Sequence, residues 1–208
     1  MCKSIRSLSI TVIAIVFLAG SLFAQDAGKN ANNGGLSMDE KKMQEMFALW
    51  QKYASPSKPH ESFKKLEGDW KAEMKMFMGP DAPPQQSSSV CSYESVMEGR
   101  FLQFHYTGKM MDMPYEGIGY LGYDNFKQKY NLFWIDNMTT AIIIAYGEAS
   151  ADGKTITLMG KMDEPTTGEK DKDVKYVYKF IDDNHHTFEI WDLLPGNEFI
   201  ALEIDYSR

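Results

Sequence analysis

Apolar residues follow the helical period near the start of the chain. Five of them recur at spacings of three and four: Met43, Met46, Phe47, Trp50 and Tyr53. Ser37 and Glu40 form a capping box, and Pro56 stops a helix, so the pattern predicts a helix from Met38 to about Ala54. Because its polar face mixes charges, we expect the apolar face to pack on the following domain as a lid or end-plug, rather than on a membrane surface.

From Trp70 onward the apolar positions alternate with a period of two, as in β-strands. Turn signals recur about every ten residues. They separate ten candidate strands, near 70–78, 88–97, 100–108, 115–123, 128–136, 140–149, 154–162, 173–182, 185–193 and 197–206. Short connections imply an antiparallel meander, and ten strands avoid exposed edges by closing, so we predict an all-β, up-and-down β-barrel.

Alternation also predicts which side chains face the barrel interior. The clearest sets are Trp70, Ala72, Met74, Met76 and Met78; Ile156, Leu158 and Met162; Val174, Tyr176, Tyr178 and Phe180; and Ile200, Leu202, Ile204 and Tyr206. A ten-stranded barrel is wider than its own side chains easily fill, so we expect an internal cavity. Its lining of methionine, tyrosine, tryptophan and isoleucine suits a small hydrophobic or amphipathic molecule.

Polar residues near the predicted strand ends complete the candidate site. Asp136 lies two positions after Trp134 and shares its face, near a barrel mouth. An arginine, Arg100 or Arg208, paired with Asp136 could close the barrel rim, or these groups could orient a ligand. The candidate ligand-binding residues are Met74, Met76, Arg100, Tyr130, Trp134, Asp136, Tyr176 and Tyr178.

The first 24 residues have the pattern of a secretory signal peptide. Lys3 and Arg6 precede an apolar run that ends at Ala24. We therefore expect a protein that is exported to the periplasm or secreted, with no stable membrane insertion after cleavage. The predicted organisation is a signal peptide at 1–24, a flexible linker at 25–36, the helix and connector at 37–58, and the β-barrel domain at 59–208.

Composition limits the partners. The chain has 22 basic and 29 acidic residues, and removal of Lys3 and Arg6 with the signal peptide makes it more acidic. Nucleic-acid binding rests on clustered positive charge, so we expect no nucleic-acid partner. Cys91 is the only cysteine after residue 24. The barrel must therefore be held together by packing rather than by an intrachain disulfide.

No motif in the sequence predicts catalysis or a cofactor. Residues 117–122 match the G-x-G-x-x-G pattern, but a turn and another strand follow where nucleotide binding needs a helix, so we interpret these glycines as sites of close aromatic packing. His60, His105, His185 and His186 are expected at the surface or in turns. The other interpretation is that one of them ligates haem or a metal inside the barrel.

Several short motifs occur in the order found in one known family. They are Pro59-His60, Leu66-Glu67-Gly68-Asp69-Trp70, Glu98-Gly99-Arg100-Phe101-Leu102, Tyr115-Glu116-Gly117-Ile118-Gly119, Leu121-Gly122-Tyr123-Asp124, Tyr130, Trp134-Ile135-Asp136 and Tyr206-Ser207-Arg208. With this order, roughly residues 59 to 208 resemble the uncharacterised family called domain of unknown function 1579. The resemblance implies a lipocalin-like, calycin-type barrel, bacterial and often exported, similar in fold to fatty-acid-binding proteins and to haem-binding nitrobindins. It implies no known reaction.

These observations favour an exported, non-enzymatic barrel that binds a small hydrophobic or amphipathic ligand in its interior. One alternative is a filled barrel that acts as a protein-interaction module of the cell envelope. A further alternative is a barrel that binds haem, or an enzyme that acts on a lipid-like substrate with Asp136 or a histidine as the base. The oligomeric state does not follow from the sequence.

Overall fold

The computed structural model describes residues 37–193, 196 and 198–208. The predicted signal peptide and flexible linker lie outside these residues. The helical elements are α1 (Met38–Ala54), α2 (Lys58–Glu61) and a 3-10 helix (Ser62–Leu66). The strands are β1 (Gly68–Met76), β2 (Gln85–Val96), β3 (Phe101–Met110), β4 (Met113–Asp124), β5 (Lys129–Asp136), β6 (Ile143–Ala149), β7 (Thr155–Glu164), β8 (Glu169–Asp182), β9 (His185–Asp192) and β10 (Phe199–Ser207).

The ten strands form one closed antiparallel barrel in which each strand pairs with its neighbours in sequence. Pairing of β1 with β10 closes the circle, with Met74 opposite Ile204 and Ala72 opposite Tyr206. This confirms the predicted all-β, up-and-down architecture. Every second residue along the strands faces inward, and the interior sets predicted on β7, β8 and β10 include the buried residues Ile156, Tyr176 and Ile204. The inward placement of Met78 is wrong, because β1 ends at Met76 and Met78 is 71% exposed.

The two ends of the barrel differ in what covers them. We call the end where β1 begins and β10 finishes the closed end. There, α2 and the 3-10 helix place Phe63 and Leu66 in the same buried cluster as Trp70 and Tyr206. We call the end where β1 finishes the open end, because within the described residues only interstrand loops border it. Gly68 at φ 108° makes the sharp bend from the 3-10 helix into β1.

Helix α1 begins and ends where the sequence predicts. The Glu40 amide donates to Ser37 Oγ at 3.2 Å and the Ser37 amide donates to Glu40 Oε2 at 2.7 Å, which forms the capping box. The boundary between the two compact units of the chain, Met1–Met46 and Phe47–Arg208, falls within this helix.

The predicted packing of α1 as a lid is wrong for its last two turns, which belong to the same unit as the barrel. Phe47 and Trp50 are 45% and 58% exposed. Contact is limited to the helix end, where the Tyr53 and Phe126 rings meet edge to face and Asn125 Nδ2 donates to the Tyr53 carbonyl. This hydrogen bond satisfies a carbonyl of the last helical turn and so fixes where α1 ends. The apolar face of the helix stays exposed.

Within the described part of the chain, no helix has both the length and the apolar character needed to cross a membrane.

Candidate functional site at the open end of the barrel

The eight predicted site residues fall into three groups. Met74, Met76, Trp134 and Asp136 lie toward the open end, on β1 and β5. Tyr176 and Tyr178 are buried inside the barrel on β8. Tyr130 and Arg100 lie at the closed end, at the beginning of β5 and just before β3. A ligand at either end would therefore contact only part of the predicted set.

A cleft of about 660 Å³ lies at the open end, between the β1–β2 and β3–β4 connections. Its apolar lining consists of methionines: Met74, Met76, Met110 and Met111. Its polar lining is Gln85, Gln86, Ser87, Ser88, Lys109 and Asp112. The cleft thus combines flexible apolar side chains with hydrogen-bonding groups at the rim, a combination typical of sites for small amphipathic molecules.

Strand register explains why the methionines meet. Met74 pairs with Ser87 across β1 and β2, and Met110 pairs with Met113 across β3 and β4. Cross-strand partners point to the same face of a sheet. Because Met74 and Tyr115 are buried inward and residues two apart share a face, Met76 and Met113 lie on the interior side as well.

An aromatic stack lies further round the barrel toward the same end. The Phe104 and Trp134 rings stack with centroids 5.5 Å apart. A Cβ on Gly117 would lie 2.1 Å from Trp134, and one on Gly119 would lie 2.1 Å from Phe104. The glycines of the G-x-G-x-x-G sequence therefore make room for these rings, which agrees with their interpretation as packing positions.

Asp136 holds this aromatic group in place. Its Oδ2 accepts hydrogen bonds from Trp134 Nε1 at 3.0 Å and from the Tyr115 hydroxyl at 3.4 Å. Its Oδ1 accepts from the amides of Met138 and Thr139 at 2.9 and 3.1 Å. Burial, followed by the neighbouring Asp136 charge, raises the pKa of Tyr115. The carboxylate is therefore a structural acceptor, with both oxygens engaged.

The interior also contains buried polar groups that lack hydrogen-bond partners. Among the described residues these include Ser89 Oγ and the hydroxyls of Tyr106 and Tyr176. Burial raises the pKa of Tyr176 to about 12, so this hydroxyl stays protonated at neutral pH. Unpaired buried hydroxyls cost free energy, and a bound water or ligand group would satisfy them.

A buried ion pair lies on the β8 and β9 side of the open end. Lys172 Nζ contacts Asp192 Oδ2 at 2.5 Å, and each side chain is 11% exposed. Within the described residues, Asp192 Oδ1 has no hydrogen-bond partner. The sequence analysis did not select either residue. Inward-facing positions alternate along β8, and Lys172 lies two positions before the buried Val174. This alternation is the sequence pattern that could have identified Lys172 as an interior residue.

Aromatic side chains fill the interior near the closed end. His186 is 1% exposed and stacks on Tyr206 with centroids 4.4 Å apart, with Trp70 edge-on at 4.5 Å. A hydrogen bond of 3.2 Å joins its Nε2 to the Tyr93 hydroxyl. Burial lowers the pKa of His186 to about 3, so the ring is neutral at physiological pH. Packed rings therefore occupy the barrel interior around His186.

The predicted surface placement of the histidines is therefore wrong for two of the four. His186 packs inside the barrel, while the neighbouring His185 points outward to Asp205 at 2.6 Å. His60 is also buried, with Ser57 N donating to its Nδ1 at 3.0 Å. Within the described residues, no three histidine, cysteine, aspartate or glutamate side chains are grouped so that they could hold a metal ion.

The predicted pair between an arginine and Asp136 does not form, because both arginines lie at the closed end. Arg100 Nε donates to the Ala54 carbonyl at 2.9 Å and so binds the end of α1. Arg208 donates to the carbonyls of Lys65, Glu67 and Asp183. Arg208 therefore closes the barrel rim at this end, and its hydrogen-bond acceptors are backbone carbonyls rather than the carboxylate of Asp136.

Tyr130 lines a second, smaller cleft at the closed end. It has a volume of about 420 Å³ and is bordered by Pro59, Tyr123, Lys127, Gln128, Tyr130, Glu148 and Ala149. Tyr130 is 7% exposed and its ring meets Tyr123 edge to face, so packing accounts for most of its surface.

Comparison with known proteins identifies the fold and the family of this chain. The crystal structure of Rv2717c from M. tuberculosis is similar, with a TM-score of 0.54 and 16% sequence identity over 74% of this chain and 99% of the other. At this identity the likeness shows the fold alone. No curated protein matches the chain. The profile of the family described as "Protein of unknown function (DUF1579)" matches residues 55–208, which is most of the sequence, and the chain therefore belongs to the DUF1579 family.

Proposed function

We propose that the protein is an exported, non-enzymatic barrel that binds a small amphipathic molecule at the open end. The observation that carries this proposal is the cleft of about 660 Å³, where inward-facing methionines continue the barrel core to the solvent. The packed rings around His186 support a binding region at this end rather than one that runs through the whole barrel.

The polar groups favour an amphipathic ligand over a purely apolar one. Ser89 Oγ and the Tyr106 hydroxyl lie deeper on β2 and β3, the strands that also supply Ser87 and Met110 to the cleft. A ligand whose polar group reached these hydroxyls would satisfy them while its apolar part contacted the methionines. Gln85 and Gln86 offer further hydrogen bonds at the rim.

A non-enzymatic role is supported by the bonding of Asp136, the proposed base of the catalytic alternative. Its two oxygens already accept four hydrogen bonds, from Trp134, Tyr115, Met138 and Thr139. Both oxygens of this carboxylate are therefore occupied by protein donors that organise the end of β5.

Export is the part of the proposal that rests on residues 1–24. Lys3 and Arg6 before an apolar run ending at Ala24 support it. Mass spectrometry of the protein from its own host should find a mature N-terminus close to residue 25. A protein that still begins at Met1 would contradict export without affecting the proposed cleft.

Fluorescence titration with Nile red, a neutral solvatochromic dye, tests the cleft. Ser87→Phe should fill it, because Ser87 faces inward opposite Met74. Val90→Phe on the same strand is the control, because Val90 is 51% exposed and lies outside the cleft. We expect binding to weaken at least about tenfold in Ser87→Phe and to stay unchanged in Val90→Phe.

Equal dye binding by the wild type and Ser87→Phe would contradict the proposal, as would no binding by the wild type. Thermal unfolding of both variants shows whether the barrel is retained. Should Ser87→Phe fail to fold, Gln85→Trp at the cleft rim provides a second variant, and displacement of the dye from the cleft is again expected.

One observation favours a second candidate, a protein-interaction module. Phe47, Leu49 and Trp50 are 45%, 55% and 58% exposed on the last two turns of α1. Deleting residues 25–54 separates the two functions. Retained dye binding with loss of a co-purifying host protein would favour the interaction module, and retained dye binding with no host protein lost would favour the ligand carrier.

A further inference from the structure

The open end of the barrel is rich in methionine. Met74, Met76, Met110 and Met111 line one cleft, and Met113 pairs with Met110 at its edge. These side chains come from two separate hairpins, β1–β2 and β3–β4, so the fold, rather than one stretch of sequence, brings them together. Methionine supplies apolar surface, and it also supplies a thioether sulfur.

Strand register places the methionines where two hairpins border the cleft. Met74 lies opposite Ser87 on β2, and Met110 lies opposite Met113 on β4. The β2–β3 ladder ends at Val90 and Thr107, so the two hairpins are no longer paired where they line the cleft. The methionines therefore reach the cleft from two sides, and their long, flexible side chains can meet there.

We propose that this methionine cluster, Met74, Met76, Met110 and Met113, binds a soft monovalent cation, Cu⁺ or its analogue Ag⁺. Thioethers are soft, uncharged donors that select Cu⁺ over hard divalent cations. The sulfur atoms are the metal ligands, and binding requires no electron transfer. The proposal goes beyond the amphipathic ligand, because the same side chains would be recognised through sulfur rather than through apolar area.

The surroundings of the cluster suit a site open to solvent. Asp112 and Lys109 both line the cleft and offset each other in charge, while Gln85 and Gln86 add neutral oxygen atoms. Within the described residues, the histidines lie elsewhere: His186 and His60 are buried toward the closed end, and His185 and His105 bond to Asp205 and Glu116. Thioether sulfur is therefore the main soft donor at the open end.

Thioether ligation has a distinctive pH dependence. Histidine and cysteine must lose a proton to bind a metal, so their affinity falls as the pH falls. A thioether has no proton to lose. We therefore expect the affinity for Ag⁺ to change less than about threefold between pH 5 and pH 8, whereas histidine or thiolate ligation would reduce it by about tenfold or more per proton released.

The test compares wild type with two quadruple variants. The site variant carries Met74→Leu, Met76→Leu, Met110→Leu and Met113→Leu. The control variant carries Met46→Leu, Met97→Leu, Met138→Leu and Met159→Leu, which are exposed methionines outside the cleft. Leucine keeps the apolar volume and removes the sulfur. Cys91 is present in all three proteins, so any binding to its thiol is common to them.

Binding of Ag⁺ is measured by calorimetry, and binding of Cu⁺ by competition with a chromophoric chelator in the presence of ascorbate. Both titrations should give one tight site in the wild type and in the control variant. The site variant should bind at least about 100-fold more weakly, which corresponds to about 2.7 kcal/mol. Equal affinity in the site variant, or no stoichiometric site in the wild type, would overturn the proposal. So would an affinity that falls tenfold between pH 8 and pH 5.

Nile red separates this proposal from the proposed function. The site variant should still bind the dye, because its lining remains apolar. Retained dye binding with lost Ag⁺ binding in the site variant supports both proposals, whereas stoichiometric Ag⁺ binding without dye binding in the wild type supports the metal site alone. Should the quadruple variant not fold, Met110→Leu with Met113→Leu replaces it, with an expected loss of about tenfold in Ag⁺ affinity.

Discussion

The closed and open ends of this barrel are built from different kinds of interaction. At the closed end Trp70, Tyr93, His186 and Tyr206 pack ring against ring, and Phe63 and Leu66 cover them. At the open end the inward side chains are more mixed: methionines line one side, half-buried aliphatic residues such as Ile190 and Leu202 another, and Trp134 lies between them on β5. The first end provides the rigid core, and the second provides the adaptable surface.

This difference indicates how one sheet can be both a stable scaffold and a binding site. The same ten strands run through both ends, so the ladder of backbone hydrogen bonds is shared. What changes on the β1–β4 side is the inward side chain at every second position, from large rings near the closed end to flexible methionines at the open-end cleft. Rings lock one packing arrangement, whereas methionines fill irregular shapes.

Matched leucine truncations give the largest expected contrast between the ends. Leu102 is fully buried at the closed end, whereas Leu202 at the open end is half-buried. We expect Leu102→Ala to lower the free energy of unfolding by about 3 kcal/mol and Leu202→Ala by about 1 kcal/mol, because a cavity costs most where the surroundings cannot relax. Urea denaturation measures both values. Equal losses would mean that the two ends are packed alike.

Buried His186 predicts that the closed end destabilises in acid. Its pKa is about 3 when folded and near 6.5 when unfolded, so the unfolded chain binds the extra proton between these values. Stability is therefore fully present above pH 6.5 and falls as the pH drops, by roughly 1.4 kcal/mol per unit, or about 2 to 3 kcal/mol at pH 4.5.

The variant His186→Gln isolates this effect, because the carboxylates and His60 titrate equally in both proteins. The stability advantage of the wild type over the variant should shrink from pH 7 to pH 4.5. Urea denaturation across this range measures it. An advantage that is constant with pH would show that His186 is not held neutral by burial.

Arg208 should contribute less to the free energy of unfolding than His186 does, because its hydrogen bonds lie at the surface. Its guanidinium donates to the Lys65, Glu67 and Asp183 carbonyls and lies 4.3 Å from the Trp70 ring centroid. A lysine ammonium cannot span these acceptors, so Arg208→Lys should cost about 1 to 2 kcal/mol. Arg100→Lys, which affects the α1 end, should cost less. Equal thermal shifts in the two variants would contradict a special role for Arg208 in closing the barrel.

Much of the fold was predictable because its signals are local. The alternation from Trp70 gave the strands to within a few residues, and Ser37, Glu40 and Pro56 gave the limits of α1. The position of α1 was not predictable in the same way. Spacing shows that Phe47 and Trp50 share a face, but not whether a surface of matching shape exists for that face.

The candidate site was predictable only in part, because it depends on register. Met74, Met76, Trp134 and Asp136 were selected from alternation and lie toward the open end. Met110 and Met113 were missed, although the sequence Met-Met-x-Met was visible at 110–113, because nothing local aligns that turn with β1. Arg100 was misplaced for the same reason: strand parity identifies a face of the sheet, but not the end of the barrel that a turn residue reaches.

The smallest expected effect concerns the carboxylates that organise one turn or loop at each end. Asp136 accepts from Trp134 Nε1 and the Met138 amide, whereas Asp124 at the closed end accepts, among the residues that the structure describes, from the amides of Phe126 and Lys127 alone. Asparagine can replace an acceptor for one set of amides, but its NH₂ would face the donors on the other side of Asp136. We therefore expect Asp136→Asn to cost about 1 kcal/mol and Asp124→Asn less than about 0.5 kcal/mol in urea denaturation.

Because the Trp134 ring stacks on Phe104, Asp136→Asn should also alter the near-ultraviolet circular dichroism. Unchanged aromatic signals would show that the stack orients Trp134 without the carboxylate.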